Sequence, residues 1–220
     1  MDTEVEARDY DAMDHVEVNT RFTDDFLAVR GSAQRVLDVG TGTARIPILL
    51  VEGAPELSCV AIDLADHMIA VAVDNVRAAG HASRITIEKR DAKATGYAND
   101  AFDAVVSNSI VHHIPEPEAA LAEMWRVLRP GGILFVRDLA RPVDTSSLDA
   151  LVDTYASLPD EGSSDDLDRH RRQRELFEAS LHASLAVDEV RAMVLPLGIP
   201  ADAVQLTSDR HWTLVARKPG

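Results

Sequence analysis

Apolar residues in the middle of the chain form short runs that alternate with stretches of helical periodicity. Each run is too short for a helix and is rich in aliphatic and β-branched residues, which predicts buried strands. The predicted strands are residues 35–39, 57–62, 85–89, 102–107 and 133–137, and the helices between them are residues 44–51, 65–79 and 117–128. Strands that alternate with helices require a parallel sheet covered on both faces. The pattern therefore predicts an α/β fold with a doubly wound, Rossmann-like sheet.

The pattern changes at both ends of the chain. Before the first strand, apolar residues at helix-like intervals in polar sequence predict one or two short helices. After residue 140, an acidic stretch at 159–168 predicts a loop, and the runs at 203–207 and 211–216 predict a hairpin. Further helices are predicted at residues 148–158, 169–186 and 187–195. A length of 220 residues suits one domain. Its predicted parts are a helical cap (1–30), a core (35–140), a helical insertion (141–200) and a C-terminal hairpin (201–220).

The first strand leads into a turn with two glycines and then into a helix. Gly40 and Gly42 let the backbone approach a ligand closely, and the amides of the first helical turn favour an anionic or dipolar group. Asp38 lies just before the turn and offers a carboxylate to a cationic or hydrogen-bond-donating group. Arg45 occupies the third glycine position of the dinucleotide fingerprint, and no Lys-Ser/Thr pair closes a phosphate-binding loop. Both of those nucleotide motifs are therefore incomplete.

Acidic residues also follow the next two strands, where ligands of open parallel sheets bind. Asp63 comes about twenty positions after Gly42, a spacing at which an acid accepts hydrogen bonds from ribose hydroxyls. The alternative for Asp63 is a cap of the following helix. Asp91 either accepts a hydrogen bond from an exocyclic adenine amine or forms a turn.

Two motifs carry a resemblance to a known family. The acidic-x-Gly-x-Gly turn at 38–42 and the Arg-Val-Leu-Arg-Pro-Gly-Gly sequence at 126–132 resemble class I S-adenosylmethionine-dependent methyltransferases, in the small-molecule, quinone-biosynthesis-like branch. The resemblance covers roughly residues 35–140. It implies a sheet of seven strands, mostly parallel, with an antiparallel strand in the C-terminal hairpin. It also implies transfer of a methyl group from S-adenosylmethionine to a small-molecule acceptor by direct in-line displacement, with S-adenosylhomocysteine as the product.

The resemblance further implies a set of donor-binding residues. The methionine carboxylate and sulfonium region would be held by Asp38, Gly40, Thr41 and Gly42. The ribose would be held by Asp63, and the adenosine would be flanked by Leu64 and Met68. Adenine would contact Asp91 and Ala92, the reactive methyl group would lie near Ser107 and Asn108, and Tyr10 of the N-terminal segment would cover the site.

Histidines and arginines near the later strand ends are candidates for the acceptor side. His113 is the candidate general base, and an acceptor pocket is predicted from His112, Arg137, Arg141 and His211. The alternatives are structural roles for the histidines and surface ion pairs for the arginines. Neighbouring residues on a helix face different ways, so the two adjacent histidines cannot easily bind one ion. We therefore predict no metal site.

Composition narrows the partners. The net charge is −15, and the basic cluster at 169–174 lies beside several acids, which disfavours nucleic acid as a partner. The single cysteine, Cys59, cannot form an internal disulfide and is interpreted as a small buried hydrophobic residue. No apolar run reaches the length of a membrane span, and the first residues are acidic and polar, unlike a secretory signal. We expect a cytoplasmic protein with a small-molecule substrate and no membrane contact; the oligomeric state is left open.

Two other functions fit parts of the sequence. An NAD(P)-dependent oxidoreductase would use a similar sheet, but Arg45 in place of the third glycine and the Pro-Gly-Gly turn disfavour it. A non-catalytic S-adenosylmethionine-binding protein would keep the glycine turn, and residues 145–185 would fill its acceptor cavity. Comparing the binding of S-adenosylhomocysteine with that of NAD separates the first alternative from a methyltransferase.

Overall fold

Seven strands form one sheet in the computed structural model, which describes residues 3–12, 16–159 and 163–220. The strands are β1 (Arg35–Val39), β2 (Ser58–Asp63), β3 (Ile85–Lys89), β4 (Phe102–Asn108), β5 (Leu128–Leu139), β6 (Val204–Leu206) and β7 (His211–Arg217). The helices are α1 (Glu4–Asp11), α2 (Val16–Val29), α3 (Arg45–Gly53), α4 (Asp66–Ala78), α5 (Pro117–Val127), α6 (Thr145–Tyr155), α7 (Ser164–Ala183) and α8 (Val187–Val194). Short 3₁₀ turns lie at Val111–His113, Leu195–Leu197 and Ala201–Ala203.

The strand order is β3-β2-β1-β4-β5-β7-β6. The first five strands pair in parallel, whereas β7 pairs antiparallel with β5 and with β6. The predicted fold class, including the antiparallel C-terminal strand, is confirmed. From β1 the chain builds β2 and β3 on one side of that strand and then crosses to build β4 on its other side. The order reverses there and opens a crevice at the carboxyl ends of β1 and β4, where ligands of such sheets bind.

Alternating residues of the strands build two cores. One face carries Leu37, Val105 and Leu134 and packs under α5 and α8. The other face carries Phe135, whose ring meets those of Phe22 and Phe26 from α2 at 5.1 and 5.8 Å between centroids. Because α2 supplies fully buried aromatic residues to this second core, it is an integral layer of the fold.

Most predicted elements are found with ends shifted by a few residues, and β5 differs most. It begins at Leu128 instead of residue 133, because Leu128 already pairs with Phe102 of β4, and the pairing resumes at Ile133 after the Pro-Gly-Gly sequence. The register shifts between the pairs of Phe102 and Ala104, and Gly131 has a φ of +75°. An irregularity of this kind lets a strand absorb extra residues without ending.

The acidic stretch predicted as a loop at 159–168 is partly helical. The helix α7 begins at Ser164, and the side chain of Ser163 accepts a hydrogen bond from the amide of Asp166 as an N-cap. Acids in the first turn of a helix are favoured by its dipole, so the acidity marks a helix start. Residues 160–162 of this stretch, like residues 1–2 and 13–15 of the predicted cap, lie outside the described residues. None of the described helices is both long enough and apolar enough to cross a membrane.

Candidate functional site

A cavity of about 340 Å³ lies at the crevice between β1 and β4. Asp38 and Gly40 line it from the end of β1, and Asn108 lines it from the end of β4. Tyr10 of α1 and Arg45 of α3 contribute further walls. This volume lies in the usual range for small-molecule sites, which is about 300–1,000 Å³.

The loop after β1 is held tightly against the end of β2. The amides of Gly40 and Thr41 both donate to the carbonyl oxygen of Ile62, each at 2.9 Å. Gly40 has a φ of +75°, and a Cβ atom there would collide with the side chain of Ile110. Position 40 favours glycine, because any other residue would be strained in the left-handed conformation and its Cβ atom would clash with Ile110.

Asp63 also holds this loop in place. One of its carboxylate oxygens accepts from the amide of Gly42 at 2.8 Å. The other accepts from the amides of Leu64 at 2.8 Å and Ala65 at 3.0 Å, at the start of α4. The carboxylate therefore both caps the approach to a helix and fixes the glycine turn, and its ribose-binding role stays a prediction.

Several buried polar atoms around the cavity have no hydrogen-bond partner among the described residues. They are Asp38 Oδ2, Thr41 Oγ1, Thr43 Oγ1 and Asn108 Oδ1. An unpaired buried polar group costs about 1–3 kcal/mol, so a polar ligand that paired with these atoms would gain affinity. Burial raises the pKa of Asp38 to about 7; the side-chain hydroxyl of Thr41 lies close enough to oppose the shift, and the nearby carboxylate of Asp63 adds to it. An acid, hydroxyl groups and a side-chain amide at one crevice fit a ligand with an ammonium and a carboxylate group.

The structure brings five of the twelve predicted donor-binding residues together around the cavity. They are Tyr10, Asp38, Gly40, Thr41 and Asn108. Burial raises the pKa of the Tyr10 phenol, and the carboxylates of Asp63, Asp11 and Asp38 add to that shift. The N-terminal helix therefore reaches the acids of the predicted site.

The other seven do not line this cavity. Gly42 and Asp63 fix the loop, as described above. Leu64 is exposed and Met68 is buried in α4. Ser107 is fully buried and its hydroxyl donates to the carbonyl oxygen of Val39 at 2.8 Å.

Asp91 and Ala92, predicted to contact adenine, directly follow β3. Asp91 accepts from the amide of Lys93 at 2.8 Å, which is the turn-forming role considered for it from the sequence. An adenine contact by either residue remains a prediction.

The two adjacent histidines have different surroundings. His112 Nδ1 donates to the carboxylate of Asp138 at 2.5 Å, and that side chain of His112 is only 3% exposed. The same carboxylate accepts from the amides of His112 and Leu139, so it acts purely as an acceptor. His112 Nε2 is buried and has no partner among the described residues. His113 as a whole residue is exposed to solvent, but its imidazole ring is partly buried. That burial, together with the neighbouring His112, lowers the pKa of His113 to about 4.

The other predicted acceptor residues are spread over both faces of the sheet. Arg137 donates to Thr213 at 3.0 Å and pairs with Asp25 of α2 at 2.7 Å. His211 shares this face, and its pKa is lowered to about 4 by burial and by the charge of Arg210. Asp138 and its partner histidine lie on the opposite face, because successive residues of a strand point to opposite sides.

Arg141 is also committed to structural contacts. Its guanidinium donates to the carbonyl oxygen of Ser184 at 2.8 Å and pairs with Glu189 at 3.0 Å. The structure therefore does not gather the four predicted acceptor residues into one pocket. Among the described residues there is also no cluster of three or more His, Cys, Asp or Glu side chains suited to hold a metal ion.

Sequence reasoning missed three residues near the cavity. Asp11 accepts hydrogen bonds from Arg45 and from Asn75 at 2.7–3.0 Å, which ties α1 to α3 and α4. Arg45 drew attention in the sequence only because it breaks the dinucleotide fingerprint. Arg45 was nevertheless a signal in the sequence, because a charged residue in the place of a glycine beside a ligand-binding loop needs an oppositely charged partner.

Comparisons with known proteins show what the core of this chain is similar to. Residues 37–136 match the family described as "Methyltransferase domain". Demethylmenaquinone methyltransferase of Thermus thermophilus is 36% identical over 116 residues, which are 53% of this chain and 52% of that protein. Methyltransferase GfsG of Streptomyces halstedii is 28% identical over 179 residues, 80% of this chain and 63% of that protein.

A crystal structure of an S-adenosylmethionine-dependent methyltransferase from Aquifex aeolicus has the same fold. It superposes with a TM-score of 0.68 at 18% identity and covers 98% of both chains. The chain spans about half the length of the curated quinone-biosynthesis relatives that it matches. Residues 37–136 of this chain thus match a methyltransferase domain, and the chain is similar over about half its length to quinone-biosynthesis methyltransferases.

Proposed function

We propose that this protein transfers a methyl group from S-adenosylmethionine to a small-molecule acceptor by direct in-line displacement. The observation that carries the proposal is the ring of unpaired buried polar atoms around the cavity between β1 and β4, beside a glycine loop that admits a ligand against its backbone. S-adenosylmethionine would supply an electrophilic methyl group on a sulfonium centre. The protein would supply binding, alignment and exclusion of water.

Each part of the crevice suits one part of the donor. The carboxylate of Asp38 suits the ammonium group, and the hydroxyls of Thr41 and Thr43 suit the methionine carboxylate. Asn108 lines the same cavity at the end of β4, and we propose that it lies near the reactive methyl group. The remaining proposed donor contacts are Tyr10, Gly40, Gly42, Asp63, Leu64, Met68, Asp91, Ala92 and Ser107.

The acceptor loses a proton if its nucleophilic atom carries one, and the pair of His112 and Asp138 is well arranged to take it. Asp138 holds the proton of His112 on Nδ1, which leaves a lone pair on the buried Nε2. In the proposed transfer the nucleophile would take the methyl group, the electron pair of the carbon–sulfur bond would leave with the thioether, and Nε2 of His112 would hold the released proton. We propose His112 as the base in preference to His113, because no carboxylate within the described ranges forms a hydrogen bond with the His113 ring.

Substitution at each histidine tests this assignment. With an identified acceptor, His112→Gln and Asp138→Asn should lower kcat and alter its pH profile, and donor binding should stay unchanged. If His113→Gln produces those effects and His112→Gln does not, His113 is the base.

A small-molecule acceptor agrees with the charge distribution. Arginines of the basic cluster on α7 pair with acids, for example Arg169 with Asp166 at 2.7 Å and Arg171 with Asp168 at 3.0 Å. They are therefore poorly available for phosphates. Because the relatives named above include menaquinone-pathway methyltransferases, quinone-type aromatic rings are the first acceptors to test. The lone, buried Cys59 suits the reducing cytoplasm that we propose as the protein's location.

Two measurements test the function. Isothermal titration should show that S-adenosylhomocysteine binds and that NAD does not. Incubation of the protein with methyl-labelled S-adenosylmethionine and metabolite extracts, followed by mass spectrometry, should reveal a labelled product. Binding of NAD in place of S-adenosylhomocysteine would contradict the proposal.

A second candidate function is a donor-binding protein without turnover. The helices α6 and α7 pack on the end of β5 through Leu139, Leu148, Val152 and Leu181, and α7 contacts the turn that carries the histidines. Helices in this place could exclude an acceptor. Binding of S-adenosylhomocysteine without any labelled product, across extracts and quinone-type compounds, would favour this candidate.

A further inference from the structure

The last residue of α1 joins three elements of the chain on one carboxylate. Arg45, the first residue of α3, donates to Asp11 through Nε at 3.0 Å and through Nη2 at 2.7 Å, one bond to each oxygen. Asn75 of α4 donates a third hydrogen bond through Nδ2 at 2.9 Å. We call these three residues the Asp11 cluster.

The Asp11 cluster also contacts the loop that follows β1. Nδ2 of Asn75 donates to the carbonyl oxygen of Thr43 at 3.0 Å as well as to Asp11. The next residue, Ala44, has a φ of +63° and provides no side-chain cap to α3. One amide thus holds both the loop and the end of α1, so the position of the helix is coupled to that of the loop.

Tyr10 precedes Asp11 and faces the glycine loop. Its Cε1 atom lies 3.6 Å from the position that a Cβ atom would take on Gly42. Tyr10, Asp11 and Arg45 all line the cavity. A shift at the end of α1 would therefore move a wall of the cavity.

Apolar burial alone holds α1 weakly. Of its described side chains, only Ala7 is fully buried, Tyr10 is half-buried, and the others are polar. By contrast α2 supplies two fully buried phenylalanines to the core. The hydrogen bonds of Asp11 are therefore a main determinant of where α1 lies.

We propose that Asp11, held by Arg45 and Asn75, is a positioning residue that keeps Tyr10 over the donor cavity and slows release of the bound donor. The inference rests on the proposed function and concerns only its donor site. Two parallel bonds between a guanidinium and a carboxylate fix orientation better than a single ion pair. Because the Arg45 side chain is 50% exposed and that of Asp11 is 19% exposed, solvent weakens the pair, and we expect an effect of about tenfold on affinity.

The test measures binding of S-adenosylhomocysteine to the full chain and to Asp11→Ala, Arg45→Ala and the double variant. Titration gives the dissociation constant, and stopped-flow displacement gives the dissociation rate. Each single variant should bind about tenfold more weakly through faster dissociation, with an unchanged melting temperature for the ligand-free protein. The loss in the double variant should fall well short of the sum of the two single losses, because both single variants remove the Arg45–Asp11 pair. Asp74→Ala is the matched control, since Asp74 forms an exposed pair with Arg77 on α4 at 3.0 Å and does not line the cavity.

Hydrogen exchange of residues 4–11 gives a readout that does not depend on activity. Bound S-adenosylhomocysteine should slow exchange there in the unaltered protein and much less in Asp11→Ala. Equal dissociation rates in all variants, or strictly additive losses, would overturn this inference while leaving the proposed function intact. If the unaltered protein does not bind S-adenosylhomocysteine, the proposed function fails and this inference fails with it.

Discussion

At the scale of single residues, Asp38 shows how a ligand site can lower the stability of the empty protein. Its carboxyl group is buried, one oxygen has no partner among the described residues, and its pKa is raised to about 7. A group with a higher pKa in the folded state than in the unfolded state binds more protons when folded. The stability that it contributes is present below pH 4 and is lost as the pH rises to about 7.

This sign leads to a prediction for Asp38→Asn. The variant should unfold at a higher temperature than the unaltered protein at pH 8, because it removes a buried charge. The gain in the free energy of unfolding should be only on the order of 1–2 kcal/mol, because the new amide is left partly unpaired. At pH 5 the gain should shrink, since Asp38 is then protonated in the folded state. Thermal melts at both pH values check this, with Asp74→Asn as an exposed control. An equal gain at both pH values would contradict the raised pKa.

The same carboxyl group predicts that donor binding depends on pH. An ammonium group pairs with the ionised form of Asp38, so the affinity for S-adenosylhomocysteine should rise between pH 5.5 and 7.5, by at most about tenfold per unit. Binding near pH 6.5 should release a proton, which titrations in buffers of different ionisation enthalpy detect. The carboxylate of Asp63 and the phenol of Tyr10 also face this region. A flat pH profile in the Asp38→Asn variant assigns the effect to Asp38, and the same dependence in the variant would assign it elsewhere.

Residues that act within one loop were predictable, and residues that act across elements were not. The sequence predicted Asp38, Gly40 and Thr41 at the cavity because a strand, a glycine turn and a helix start are local features. It missed Asp11 and Asn75 because their meeting depends on how α1 and α4 pack. Arg137 and Asp138, however, are consecutive residues of β5, and their position on opposite faces of the sheet follows from strand periodicity and could have been predicted.

At the scale of elements, boundaries were predictable where side-chain pattern alone sets them. The bounds of β1 and β3 agree with the prediction, since a bounded apolar run defines each. The start of β5 depends on the pairing of Leu128 with β4 ahead of a Pro-Gly-Gly sequence, which ordinarily indicates a turn. The start of α7 depends on the Ser163 cap, which outweighed the loop-like acidity of the stretch.

The contact between the glycine loop and the segment after β4 gives a prediction about packing. Gly40→Ala should destabilise the protein by about 3 kcal/mol, because it adds left-handed strain to a clash with Ile110. Gly80→Ala is the matched control: Gly80 has a φ of +76°, but a Cβ atom there meets nothing within 4 Å. The control should cost only the conformational strain, about 1 kcal/mol. Chemical denaturation measures both, and equal losses would show that Ile110 simply moves aside.

At the scale of the whole molecule, the sheet order explains why one crevice collects the chemistry. The turn at β1 and the end of β4 become neighbours only because the strand order reverses between them. The N-terminal helices then add Tyr10 and Asp11 from a distant part of the sequence. A local motif therefore predicts where a ligand binds, whereas the tertiary arrangement decides what encloses it.

The overall charge of the protein predicts weak binding to DNA. With a net charge of −15 and with Arg169, Arg171 and Arg174 each paired to an acid, the protein should bind a 20-base-pair DNA duplex more weakly than about 10⁻⁴ M even at 50 mM salt. Fluorescence anisotropy of a labelled duplex measures this. Replacing the three paired acids, Asp153, Asp166 and Asp168, with asparagine should strengthen binding at low salt, because it frees the arginines and removes three negative charges. Micromolar, salt-sensitive binding by the unaltered protein would instead point to a polynucleotide acceptor, and the small-molecule proposal would have to be abandoned.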